Sequence, residues 1–178
     1  MAYLLRKFSL TKWQKNIEKS PCNYDADAIT GCTRTRDNKL SVWHSVDKDF
    51  ESDEVKDLIV ALAISMDEPA TMDVVFLEED WLIKNDIKIK AESATTSFER
   101  VNGKHKDLVC LDHRKLGLVS QHIVEQATDE KHRKKLLKSQ IITLVTTWIQ
   151  KSDTFEVEHL KPRWQKQILK KLNSLKVN

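Results

Sequence analysis

The stretch LSVWHSVDKDFESDEVKDLIVALAISMDEPATMDVVFL, residues 40–77, decides the reading of the fold. Its first seven residues alternate. Leu40, Val42, His44 and Val46 fall on one side, and Ser41, Trp43 and Ser45 on the other, a period of two that predicts a strand. Ser52 then suits the position just before a helix, where its hydroxyl can accept an otherwise unpaired backbone N–H. Asp53 and Glu54 follow where the helix dipole favours negative charge. Val55, Leu58, Ile59 and Leu62 make an apolar stripe at helical spacing, widened by Ala61, Ala63 and Ile64. The helix runs to Met66 and Pro69 stops it. Met72–Leu77, β-branched and aromatic, reads as a central strand. Strand, helix and strand in sequence predict an α+β fold, with a small mixed or antiparallel sheet packed by one central helix.

Working outward, Ala2–Leu10 reads as a further strand. Thr11 then caps a short helical turn carrying Trp13 and Ile17, which ends before Pro21. Asp25–Thr35 is polar and ambiguous, and Arg36-Asp37-Asn38-Lys39 has turn chemistry. On the other side, Glu78–Asn85 suits one or two helical turns, and Ile87–Lys90 returns to alternation. Asn102-Gly103 is a tight-turn dipeptide, so SFERV and HKDLVCL are expected to pair as a hairpin.

Beyond residue 115 the pattern is helical. One helix spans Leu116–Gln126. Thr128 or Asp129 is expected to cap a longer one, to about Lys151, with Leu137, Ile141, Leu144 and Trp148 as its stripe. Pro162 suits the first turn of a last helix, to about Leu175, with Trp164, Ile168, Leu172 and Leu175 on its apolar line. The expected division is an α+β body, 1–115, and a basic C-terminal helical subdomain, 116–178, the two able to pack as one domain.

Charge is unevenly divided. Residues 1–130 hold 18 Lys+Arg and 24 Asp+Glu, whereas residues 131–178 hold 12 and 3. The net +3 of the whole chain hides an acidic body and a cationic tail region. Lys131, Arg133, Lys134, Lys135, Lys138, Lys161, Arg163, Lys166, Lys170 and Lys171 are therefore the expected contacts for nucleic acid or an acidic partner. Lysine outnumbers arginine among them, which disfavours base-specific reading because arginine makes the bidentate contacts. The same residues could equally solvate the outer faces of amphipathic helices.

Catalytic patterns are sparse. A metal-dependent nuclease needs an acid on one strand and an acid-x-lysine on another. Asp73 and Asp86-Ile87-Lys88 have that order, a pattern charged chains also produce by chance. The six histidines form no zinc spacing, and only Cys110 and His113 stand as a lone CxxH. With three glycines in the chain, phosphate-cradling loops are disfavoured. No cofactor and no metal are expected. The three cysteines, Cys22, Cys32 and Cys110, read as reduced thiols. No apolar run approaches the roughly 20 residues that span a bilayer, and the first residues do not form a secretion signal, so a cytoplasmic location is expected.

Trp43, opposite Leu40 and Val42 on its strand, becomes a protein-interface anchor if the sheet is covered on one side only. The composite expectation is a non-enzymatic cytosolic accessory or regulatory subunit that acts through protein–protein contact. Its profile resembles that of small accessory proteins of toxin–antitoxin or anti-phage systems. The alternatives are a nucleic-acid-binding module built on the basic C-terminal helices and, second, the nuclease.

Overall fold

The computed structural model describes residues 2–33, 37–152 and 154–176, the side chain of Lys176 excepted. Six strands form one sheet: β1 (Tyr3–Phe8), β2 (Leu40–Ser45), β3 (Met72–Glu78), β4 (Lys88–Ala91), β5 (His105–Val109) and β6 (Arg133–Leu136). Their order across the sheet is β4-β5-β2-β1-β3-β6, and every neighbouring pair is antiparallel. The class is thus mixed α+β, as residues 40–77 predict.

Alternation along the strands sends side chains to two separate cores. Leu5, Trp43, Val74, Phe76 and Leu136 enter one. Leu4, Val42, Val75, Leu77 and Leu108 enter the other. The register explains the partition, since Leu5 stands opposite both Trp43 and Phe76, while Leu4 stands opposite Leu77.

The first core is completed by α3 (Asp53–Ser65), α6 (Lys138–Lys151) and α7 (Pro162–Lys176), through Val55, Leu58, Ile141, Val145, Trp164 and Ile168. The second draws on α1 (Leu10–Trp13), α2 (Ala26–Cys32), α4 (Glu79–Lys84) and α5 (His113–Thr128), through Trp13, Ala28, Leu82 and Ile123. Both faces of the sheet are therefore covered. Each core contains residues from both sides of position 115.

Several expected boundaries hold for the stated reasons. Ser52 Oγ accepts from Val55 N at 3.4 Å and starts α3. The helix expected over Leu116–Gln126 instead runs from His113 to Thr128, because Asp112, not foreseen as a cap, accepts from Lys115 N at 2.8 Å through Oδ1. Pro162 opens α7. Of the turn expected at 36–39, Arg36 lies outside the described residues, while Asp37 and Asn38 take positive φ of 55° and 56°. The helix end expected at about Lys151 is found there, and Asp153 beyond it lies outside the described residues.

Two larger expectations are overturned, besides the cap at Thr11, which instead lies inside α1 with Ser9 before it. The Asn102-Gly103 hairpin does not form, because Glu99–Lys104 is a 3-10 helix and β5 pairs with β2 and β4 instead. The cause is the Asn102 side chain. It accepts from Thr96 N and Thr96 Oγ1 and donates to Thr96 O, tying the turn to the preceding loop. Gly103 keeps a negative φ, so the left-handed conformation that an Asn-Gly hairpin turn requires is absent. The second concerns the long helix from 128 or 129. Residues 133–136 are strand β6, and helix α6 begins only at Lys138. Leu136 is buried opposite Met72, whereas Leu137, placed on the helical stripe by its spacing, is 50% exposed. Closing the open side of β3 outweighs the helix propensity of HRKKL.

Candidate functional site

The three acid–lysine candidates do not converge. Asp73 is on β3 and Lys88 on β4, with β1, β2 and β5 between them. At ~4.8 Å per strand the separation is about 19 Å, far beyond shared metal coordination. Asp73 Oδ2 accepts the backbone N–H of Leu10 at 3.1 Å, which holds the start of α1. Asp86 sits in a left-handed turn residue at φ 59° and pairs with Lys115 at 3.1 Å. That hydrogen bond and charge hold its carboxyl below the usual range. No group of three or more His, Cys, Asp or Glu among the described residues is arranged to hold a metal ion.

The ten cationic candidates divide. Strand alternation in β6 places Arg133 and Lys135 on the side of Asp73 and Val75, and Lys134 on the side of Val74. The helical face expected for Lys131–Lys138 is therefore corrected to a sheet edge followed by a helix start. Lys134 pairs with Glu51 and lies over the Phe50 ring. Arg133 pairs with Glu130 at 3.5 Å, Lys161 with Asp67 at 2.9 Å and Arg163 with Glu68 at 3.2 Å. Lysines along an outer strand also block edge-to-edge pairing, a structural role that β4 shares through Lys88 and Lys90. Lys131, Lys135, Lys138, Lys166, Lys170 and Lys171 make no ion pair among the described residues.

Trp43 is core, not surface. It is 4% exposed and meets His105 edge-on, ring centroids 5.2 Å apart. Helices on both faces of the sheet bury it, which removes its reading as a partner anchor.

The sequence gives little sign of three other arrangements. First, His122 on α5 is fully buried and stacks on Trp81, with centroids 4.1 Å apart and planes 6° apart. Its Nε2 accepts from Glu78 N at 3.0 Å, which makes it a neutral acceptor, and burial lowers its pKa. Second, Glu79 bridges Lys106, at 2.9 Å and 3.3 Å, and His44 at 3.6 Å. Third, Asp57 on α3 is 4% exposed and pairs with Arg100 at 3.0 Å. Burial raises its carboxyl to about 6 despite the guanidinium. Arg100 in turn lies 4.8 Å over the Trp148 ring. All three depend on partners distant in sequence, so no local pattern reveals them.

Several recesses lie beside the C-terminal helices. A cleft of about 320 Å³ separates Ser97–Arg100 from the α6–α7 connection and is lined there by Ser152, Thr154, Phe155 and His159. His159 Nδ1 accepts from Glu156 N at 3.2 Å, leaving Nε2 as the nitrogen that carries a proton in the neutral ring. The second recess is a groove of about 260 Å³ between α6 and α7, with Ile142 and Thr143 on one wall and Gln167, Lys170 and Lys171 on the other. It joins two of the unpaired lysines to an aliphatic side chain. No helix among the described residues is long and apolar enough to cross a membrane. Comparison with protein-family models, with curated proteins and with solved structures finds no match for this chain.

Proposed function

We propose that this chain is a non-enzymatic accessory or regulatory subunit that acts by binding another protein, with α6 and α7 presenting the contact. One observation carries the reading. Lys138, Lys166, Lys170 and Lys171 make no ion pair among the described residues, whereas Lys161, just before α7, and Arg163 in its first turn are neutralised by Asp67 and Glu68. Between Pro162 and Lys176 there is no Asp or Glu at all. Such a surface speeds encounter with an acidic protein and disfavours a basic one. A cytoplasmic role beside a toxin–antitoxin or anti-phage component is the setting suggested by composition.

The test is to tag the chain in its native host at native level, then combine size exclusion with cross-linking. The expected result is a complex larger than 20.7 kDa holding one stoichiometric partner. Lys166→Glu with Lys170→Glu should release that partner. Elution at the mass of the single chain, or a complex indifferent to both charge reversals, would count decisively against the role.

A second reading, nucleic-acid binding, is favoured by Lys131 and Lys135, which add unpaired charge beside β6. It predicts affinity for a 20-base-pair duplex that falls steeply with salt. Absence of binding at low salt removes it.

A further inference from the structure

We infer that the groove between α6 and α7 receives an acidic amphipathic helix of the partner protein, an inference that rests on the binding role just proposed. Shape gives the first reason. The groove of about 260 Å³ continues along α6 into an open recess of about 370 Å³ that shares Ser139 and Thr143, an elongated trough that suits a few side chains spaced along a helix. Ile142 offers them an aliphatic wall.

The composition of α6 gives the second reason. Ser139–Gln150 holds no charged residue, the longest such run in a chain that is 32% charged. Yet Ser139, Gln140 and Thr143 are exposed. A helix face meant only for water ordinarily carries charge. Here the hydroxyls are also partly satisfied from within. On the outer face Thr147 Oγ1 donates to Thr143 O at 3.0 Å. With its hydroxyl bonded to the helix, the half-buried Thr147 can be covered by a partner without stranding a donor. A shallower recess lined by Ser139, Gln140, Thr143, Leu144 and Thr147 lies along the same helix.

Charge gives the third reason. Lys170 and Lys171 border the groove, and α7 contributes no acid to compete for them. The complementary occupant is a helix that places aliphatic residues three or four apart into the groove and carboxylates on its flanks, the helix-in-groove mode.

The test uses the full chain and two fluorescein-labelled 16-residue helical peptides with identical leucine patterns, one with glutamate and one with lysine at the flanking positions. The glutamate peptide should bind, and its amide shift perturbations should cluster on 139–147 and 167–174. Ile142→Glu, and separately Lys170→Glu with Lys171→Glu, should each weaken it about tenfold while thermal melting of the chain is retained. Because Lys170 is exposed and Lys171 only half-buried, neither in the core, the second variant remains informative if the first fails to fold. Equal binding of the lysine peptide, perturbations elsewhere, or affinity unchanged by the lysine reversals would overturn the inference. So would displacement of the peptide by a 20-base-pair duplex that binds more tightly at the same salt. A native complex released by Lys166→Glu with Lys170→Glu but retained by Ile142→Glu would keep the accessory role and overturn the groove.

Discussion

The two faces of the sheet are built from similar apolar material and differ in where they place their polar groups. Each holds one fully buried tryptophan. On the α3/α6/α7 side, Trp164 Nε1 donates to Met66 O at 3.2 Å. On the α1/α2/α4/α5 side, Trp13 Nε1 is buried with no hydrogen-bond partner among the described residues. The buried groups whose protonation burial shifts also differ, an acid (Asp57) on the first face and a base (His122) on the second. The lesson is that covering a sheet twice does not make the two covers equivalent. One cover encloses a tryptophan whose indole N–H is satisfied, and the other a tryptophan whose indole N–H meets no acceptor among the described residues.

Removing residues 131–178 is the hardest blow to this comparison. It strips Leu136, Ile141, Val145, Phe155, Trp164 and Ile168 from the first core and leaves the second core nearly complete. It also frees the outer side of β3. The expected product aggregates. A soluble fragment with a cooperative melt would show that the first face is dispensable.

Substituting the tryptophans sharpens the contrast. Trp164→Ala and Trp13→Ala should each cost about 3–5 kcal/mol in denaturant titration, as other buried large-to-small changes do. The phenylalanine variants should differ. Trp164→Phe strands Met66 O, whereas Trp13→Phe removes a donor that has no acceptor. Trp164→Phe should therefore be the worse of the two by about 1 kcal/mol. Equal costs would mean that the hydrogen bond adds nothing.

The buried acid and base give opposite pH responses. Burial lowers the pKa of His122, so its contribution is present at neutral pH and is lost as pH falls through the unfolded value near ~6.5. Burial raises Asp57 from 3.8 to about 6, with Asp53 and Glu54 assisting and Arg100 and Lys104 opposing. The folded state then holds a proton that the unfolded chain has released, and stability falls as pH rises between those values. Relative to Asp57→Asn, the wild type should lose about 2–3 kcal/mol across that window. His122→Gln, which keeps an acceptor for Glu78 N, should flatten the loss below pH 6.5. Slopes that neither variant changes would place the pH dependence elsewhere.

The smallest effect belongs to the partly exposed ion pairs. Lys134→Ser breaks the pair with Glu51 and should change stability by no more than about 1 kcal/mol. A larger loss would mean that its position over Phe50 matters more than its charge.

How far the sequence showed this can be traced to distance along the chain. The helix at Ser52, the strands at Leu40 and Met72 and the final helix from Pro162 are legible because capping, period and proline are local signals. Strand β6 is not. Lys134 and Lys135 belong equally well to a helix, and only the open side of β3, about 60 residues upstream, makes them a strand. The same holds for the candidate sites. Asp73 and Lys88 lie close in sequence but are four strand steps apart. Conversely, Asp57 and Arg100 lie far apart in sequence and touch. Ile142 and Lys170 border one groove only because α6 and α7 pack together.

The outermost strands of the sheet have a further consequence. β4 and β6 are each four residues long and each carries at least two cations. Copies meeting rim to rim would bring like charges together along a very short ladder, so polymerisation into ribbons or fibrils is unfavourable even in a crowded cell. Self-association of that kind is discouraged at both ends of the sheet.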